Sequence, residues 1–388
     1  MSLSQSTVVL SEGAGVRTSS APRLYSIQIL RGLAALLVVL HHQFQVATDA
    51  FASHPSLVVF DTGAFGVDIF FPISGVAMYL AASNVLRRGS LPPAWKDFAW
   101  RRFLRITPLY WFFTLLKLSL FLAVPTAMLH YRFQLWNTVS SFLFLPSYNN
   151  MHVPEPVLPV GWTLAYEMFF YLIVTLAIAL RRPLLRWCAS IIVALSIIGL
   201  VIPHSWGGLT YLADPIELEF LFGMLIASVL PRLQRVPAWL PTLVLPAALA
   251  FALCFPVHSH PLEFLPQRVL FWGIPGALIV WSALVLESRI SLIRLRALLL
   301  LGDASFSLYL SHPFIIPAAR YAIRAFHLHG SAGLVLFLLL GQLICIPVAI
   351  LFHLYVETPM LRALTQCRTP WTLRSAVVDP ARPHHPSN

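Results

Sequence analysis

Stretches of about twenty apolar residues recur along this chain from Leu24 almost to Met360, joined by short polar connections. Twenty residues of α-helix rise ~30 Å, the thickness of a bilayer's hydrocarbon core, and a backbone immersed there must satisfy its own hydrogen bonds. The pattern predicts an all-α integral membrane protein, a bundle of about ten transmembrane helices. No connection is long enough for a separate soluble domain, so residues 23–362 read as one polytopic unit. Charged residues make up 11% of the 388 positions, against ~25% in a soluble domain, which excludes the soluble class.

The net charge of +11 would suggest nucleic acid in a soluble protein. Here the basic residues sit between apolar runs: Arg23; Arg87, Arg88, Lys96, Arg101, Arg102 and Arg105; Arg181, Arg182 and Arg186; Arg232 and Arg235; Arg289, Arg294 and Arg296; Arg362 and Arg368. That is the mark of membrane topology, and no nucleic-acid partner is expected. Keeping each cluster cytoplasmic demands an even number of crossings between neighbours. Helices at roughly 24–46, 66–86, 106–128, 161–180, 187–203, 214–230, 239–256, 268–286, 298–319 and 332–356 obey this, with both termini cytoplasmic. The segment from Asn137 to Ser147 is too short to cross and reads as an interfacial or re-entrant piece on the outer side. Outer loops then carry His54, Asp61, His130, His152, Glu155, His204, His258, His260, Glu263 and His327, a polar surface suited to a sugar-like acceptor.

Residues 1–22 are rich in Ser and lack a basic segment before a short apolar core, so a disordered tail is expected rather than a cleaved signal peptide. Residues 363–388, rich in Pro, His and Arg, read as a second disordered tail. The four cysteines show no CxxC pairing and read as small hydrophobes, so no metal is expected.

Ionisable groups inside a bilayer cost at least ~2.5 kcal/mol each and are functional candidates by default. In YSIQILRGLAALLVVLHHQF, Arg31 and His42 fall about 20° apart around a helix, with a rise of ~16 Å between them. His41 lies ~100° off that stripe and reads as structural or interfacial. With sides assigned, His42, Asp68, Glu167, Tyr309 and His312 converge in the outer half. A His beside a carboxylate is the arrangement of a general base; Glu167 is the candidate partner, or else pairs with an arginine to hold helices. Asp68 either faces the acceptor or caps the second helix. On the inner side Arg102 and Arg105, three apart, share a helix face in FAWRRFLRITPLYW. Guanidinium forks there suit phosphate oxygens, or else anchor the span and bind anionic membrane lipid. A phosphate anchor on one side and a base deeper in describe a long, charged-headed substrate, and coenzyme A has that shape.

The motifs ILRGLAALLVVLHH, GVDIFFPISGVAMYL, RRFLRITPLYW, LPVGWTLAYEMFFYL, IELEFLFGMLIA, LGDASFSLYLSH and VETP stand in this order over roughly residues 25–360. In them the chain resembles the acyltransferase family 3 membrane O-acyltransferases, in the branch that acetylates bacterial exopolysaccharides. The resemblance implies a ten-helix bundle in the bacterial inner membrane that takes an acyl group, usually acetyl, from cytoplasmic acetyl-CoA or another acyl-CoA. It places that group on a hydroxyl of a polysaccharide or lipid-linked oligosaccharide at the outer side. Matched residue by residue, the essential arginine and histidine fall on Arg31 and His42, with Glu167 as acidic partner. The family's basic loop pair falls on Arg102 and Arg105, and Glu357 matches the glutamate of its terminal E-x-P motif; beside these, Arg101 and Tyr110 are the further candidates for the donor, and Asp68, Trp162, Tyr309 and His312 those for the acceptor. Glu357 and Gly75 take structural places. Pro72 departs from the family pattern, standing where a branched apolar residue is usual in FF-x-x-SG.

The chemistry expected is removal by His42 of a proton from a sugar hydroxyl that attacks the thioester, with Arg31 holding the pantetheine or polarising the carbonyl. A covalent acyl-His relay is the variant of this scheme. The rival class is a transporter or flippase of a lipid-linked sugar, in which the same charges would relay protons and bind diphosphate; a non-catalytic scaffold leaves those charges without purpose.

Overall fold

The computed structural model describes residues 24–51, 62–87, 94–123, 133–149, 153, 155–202, 208–233, 235–255, 266–287, 289, 294–325 and 330–366. The N-terminal tail and the loops bearing His54, Asp61, His130, His152, His204, His258, His260, Glu263 and His327 lie outside the described residues.

Every described element is helical. The order is α1 (Tyr25–Phe51), α2 (Gly66–Arg87), α3 (Ala94–Ala123), α4 (Leu135–Phe142), α5 (Trp162–Ala179), α6 (Leu184–Val201), α7 (Gly208–Leu212), α8 (Leu218–Leu233) and α9 (Trp239–Cys254). Then follow α10 (Pro266–Arg268), α11 (Ile274–Glu287), α12 (Arg296–Asp303), α13 (Ser305–Ala325), α14 (Gly330–Phe352) and α15 (Thr358–Gln366). Single π-helical turns, Val269–Gly273 and His353–Glu357, join α10 to α11 and α14 to α15. Among the described residues, seven helical stretches are long and apolar enough to cross a membrane, and eight if α12 and α13, bent by 69° at Ala304, form one span. The chain is a multi-pass membrane protein.

A helix stands at each of the ten expected places, but α8 and α9 have 16 residues each and fall outside that count. Sixteen residues rise ~24 Å, short of the hydrocarbon thickness. The segment expected to be interfacial is α4, whose eight residues rise ~12 Å, too little to cross. Its Asn137 is buried and donates to Ser147 Oγ at 2.9 Å and to the Glu155 carbonyl at 2.8 Å, tying the piece to the α5 approach. At the other end α15 continues to Gln366, four residues into the stretch read as a C-terminal tail; residues beyond it lie outside the described set.

Three close fits fix the helices around the site. Pro72, inside α2, has no N–H to offer the Asp68 carbonyl one turn back. Gly276 of α11 packs on that carbonyl, where a Cβ would stand 2.1 Å away. The next turn of α2 interlocks with α8: a Cβ on Gly75 would meet the Phe220 carbonyl at 2.1 Å, and one on Gly223 the Pro72 carbonyl at 2.0 Å. Pro72 is thus absorbed within a continuous helix, and Gly75 packs against the Phe220 backbone of α8. On the other flank Gln43 of α1 donates to the Phe337 and Leu338 carbonyls at 3.2 and 3.0 Å, while Gln342 of α14 donates to Gln43 at 3.0 Å. That bridge sets the rotation of α1. Its first turn is held by Glu287, which accepts from the Tyr25 N–H and the Ser26 hydroxyl and so satisfies an exposed donor of the helix start.

Candidate active site

Helices α1, α2, α3, α5 and α13 enclose a cavity of about 170 Å³. Its walls carry Gln28 and Arg31 from α1, Ser74 from α2, Arg105 from α3, Glu167 and Tyr171 from α5, and Tyr309 from α13, among apolar side chains. Glu167 Oε1 accepts from Ser74 Oγ at 2.9 Å and from the Tyr171 hydroxyl one turn on. Arg31 lies within electrostatic reach of Arg105, Glu167, Tyr171 and Glu357. Two guanidiniums therefore face one carboxylate across open space. A cationic excess in a low-dielectric pocket is the arrangement that attracts and orients an anionic or carbonyl-bearing ligand.

Outside this cavity Arg101 is exposed, and Arg102 stacks on Phe98 with its guanidinium carbon 5.4 Å from the ring centroid. Together with Arg105 they extend the basic surface along the first turns of α3. Tyr110, expected on the donor side, instead lies in the core: it is 1% exposed, packs at a tilt against Phe144 with centroids 4.9 Å apart and does not line the cavity. Gly161 leaves room for it, since a Cβ there would meet the tyrosine hydroxyl at 2.7 Å.

The cavity ends on Tyr309, Phe70 and Thr163. The Tyr309 hydroxyl pairs with Thr163 Oγ1 at 2.8 Å and donates to the Val160 carbonyl at 2.9 Å. Beyond that plug lie the imidazoles. His42 does not line the cavity; its ring packs on His312 at 4.8 Å between centroids and edge-on to His41 at 5.1 Å. His42 Nδ1 lies 2.9 Å from the Val38 carbonyl, which only accepts, so Nδ1 carries the proton and Nε2 is left with its lone pair. That is the tautomer of a general base.

This differs from the expected geometry in one respect. Glu167 was expected at the level of His42, fixing its tautomer; the Val38 carbonyl does that instead. Glu167 follows Thr163, the partner of Tyr309, by four residues, which is ~6 Å along α5 and away from the imidazoles. It belongs with Arg31, on the far side of Tyr309. Of the five groups expected at one level, the structure brings together His42, His312 and Tyr309, whose ring lies 5.9 Å from that of His312.

Asp68 is neither a helix cap nor open to an acceptor. It is fully buried and bound in a fork by Arg268, Nε to Oδ1 and Nη2 to Oδ2, both at 2.9 Å. The guanidinium is flanked by Trp272 and Trp162, 5.1 and 5.9 Å from the ring centroids. Trp162 is thereby a wall of the ion pair, and its carbonyl accepts from the Tyr211 hydroxyl at 2.6 Å. Arg268 was missed in sequence, although a cation in the first turn of a span entering from the outer side departs from the positive-inside pattern and was the available signal. Glu357 is buried and accepts from Ser307 at 2.7 Å and from His353 at 2.9 Å, fastening the α14–α15 π-turn to α13. Among the described residues no group of three or more His, Cys, Asp or Glu is arranged to hold a metal.

A family model described as an acyltransferase domain matches residues 24–354. The chain is also 32% identical over 315 residues to the exopolysaccharide production protein ExoZ of Rhizobium meliloti (strain 1021), a match spanning 78% of this chain and 91% of that one. No solved structure matches it.

Proposed function

The chain belongs to acyltransferase family 3, and from that premise we propose that it moves an acetyl group from cytoplasmic acetyl-CoA to a hydroxyl of an exopolysaccharide or its lipid-linked precursor. Its setting is the bacterial inner membrane, with both termini cytoplasmic. That the chain is a membrane acyltransferase follows from the family; the donor, the acceptor and the direction are the proposal. The relative's name, an exopolysaccharide production protein, supports the acceptor class.

The observation that carries the donor assignment is the cavity lined by Arg31, Arg105 and Glu167, whose Arg105 belongs to the basic stretch of α3. Arg101, Arg102 and Arg105 would take the nucleotide phosphates, for which planar, permanently charged forks are suited. The narrow cavity would take the pantetheine arm. Since ~16 Å of helix separates Arg31 from His42, one cannot polarise the carbonyl that the other's nucleophile attacks. Arg31 therefore holds the arm, and the thioester must pass Tyr309 and Phe70 to react.

At the far end His42 Nε2 takes the proton from the acceptor hydroxyl as its oxygen attacks the thioester carbonyl. The tetrahedral centre then expels the thiolate, which recovers the proton. The test is thiol release from acetyl-CoA by purified protein given its polymer. Wild type should release it in step with ester formation, and His42→Ala, equally abundant in the membrane, should not. An active His42→Ala would refute the assignment of the base, and absence of any thiol release by wild type would favour the transporter reading.

A further inference from the structure

We propose that Phe70 sets the length of the acyl group this protein transfers, as a fixed aromatic wall that admits acetyl and turns away longer chains. The inference rests on the reading that a thioester passes from the arginine cavity toward His42. Phe70 is half-buried, lines the closed end of the cavity and stands edge-on to Tyr309, with ring centroids 6.2 Å apart. The His312 ring lies 5.9 Å from that of Tyr309, and the His42 ring 4.8 Å from that of His312. The acyl group at the tip of the arm therefore has to fit against Phe70 and Tyr309 in order to react.

The two rings differ in how they yield. Tyr309 is fixed by its hydroxyl, through Thr163 and the Val160 carbonyl, and hydrogen bonds of this kind carry a modest net cost when exchanged for others. Phe70 is fixed by the backbone that carries it. Two residues before it the Asp68 carbonyl is covered by Gly276 of α11, and two residues after it the Pro72 carbonyl is covered by Gly223 of α8, each at a distance that leaves no room for a methyl. The Phe70 ring is also wedged between two apolar cores, one containing Trp272 and Ile279 and the other Leu308 and Phe337. Interiors packed this closely transmit strain instead of absorbing it.

Tyr309 thus gives way to the thioester, while Phe70 stays as the wall. An acetyl group presents a single methyl to that wall. Each further methylene has to overpack the ring or stay back in the cavity, holding the carbonyl short of His42. One methylene against an apolar wall changes kcat/KM by about 10- to 200-fold, enough to make the chain length of the donor a property of this one side chain.

The test measures kcat/KM for acetyl-, propionyl- and butyryl-CoA in wild type and in Phe70→Ala, with purified full-length protein, its polymer as acceptor and thiol release as the readout. In wild type each added methylene should lower kcat/KM by about 10-fold or more. In Phe70→Ala butyryl transfer should rise by about 10-fold or more, and acetyl transfer should fall because the short group has lost its wall, so the order of preference reverses. A merely structural role for Phe70 would lower all three donors by one factor, and an unmoved ratio overturns the proposal. So does an active wild type that uses butyryl-CoA as readily as acetyl-CoA. Should the Ala protein fail to accumulate in the membrane, Phe70→Leu takes its place, with the ratio shifting in the same direction by less. Thiol release by wild type from none of the three donors would instead refute the donor reading beneath the proposal.

Discussion

Two acid–arginine groupings lie in this membrane domain, and they differ in one physical respect. Around Asp68 and Arg268 both carboxylate oxygens are engaged, tryptophans flank the guanidinium, and Gly276 packs on the Asp68 backbone. Around Glu167 two arginines and a carboxylate border about 170 Å³ of space. The residue types are nearly the same. In the first the Asp68 carboxylate and the Arg268 guanidinium are matched to each other and serve the fold; the second keeps charge in reserve for a ligand. In a membrane, an ionisable side chain alone therefore does not mark a functional site, and the space left beside it does.

Breaking the first grouping should cost most. Asp68→Ala removes the bidentate partner of the buried Arg268 guanidinium, which destabilises by about 3–5 kcal/mol, so the protein should fail to accumulate in the membrane, as followed by blotting and thermal shift in detergent. Gly223→Ala forces a methyl against the Pro72 carbonyl and should cost about 1–3 kcal/mol, read by the same thermal shift. Glu167→Gln keeps the size and the hydrogen bonds of its site. It should leave the melting temperature nearly unchanged while lowering kcat by about 10²-fold through misplacement of the donor arm. Loss of fold in that variant, or full activity in Asp68→Ala, would reverse the assignment of the two groupings. Arg105→Lys, which keeps charge but loses the planar fork, should raise KM for acetyl-CoA by about tenfold, some 1.4 kcal/mol, with kcat little altered. The smallest effect is expected of Tyr309→Phe: removing the bond to Thr163 should change kcat by only a few-fold, since such a hydrogen bond contributes about 1 kcal/mol net.

Hydropathy made the helices legible because each apolar run must be its own hydrogen-bonded unit, and the places of α1 and α2 followed directly, whereas α3, expected to start near 106, begins at Ala94 and takes in Arg101, Arg102 and Arg105. The short α8 and α9 are where that signal weakened, since 16 residues of helix serve as well packed inside the bundle as across it. The stripe from Arg31 to His42 was legible from helical periodicity alone. The partners were not. Arg268 meets Asp68 across 200 positions of sequence, Ser74 meets Glu167 across 93, and local periodicity carries no trace of either pairing. The orienting group of His42 was overlooked for the opposite reason: it is a backbone carbonyl one turn away, and every helix residue has one. Tyr110 reads as a donor-side aromatic beside three arginines, yet the turn of α3 that carries it faces the core, as Gly161 confirms by its closeness.

The division of the site into an arginine cavity and an imidazole pair, parted by Tyr309, is tested most directly by a cryo-electron microscopy map of the protein with a non-hydrolysable acetyl-CoA analogue. The account predicts the nucleotide phosphates at Arg101, Arg102 and Arg105, the pantetheine beside Arg31, and the acyl carbon beyond a displaced Tyr309, leaving room for a hydroxyl within ~3–3.5 Å of it and in reach of His42 Nε2. An acyl group resting beside Glu167 with Tyr309 still bonded to Thr163, or a nucleotide bound on the opposite face of the bundle, would contradict it.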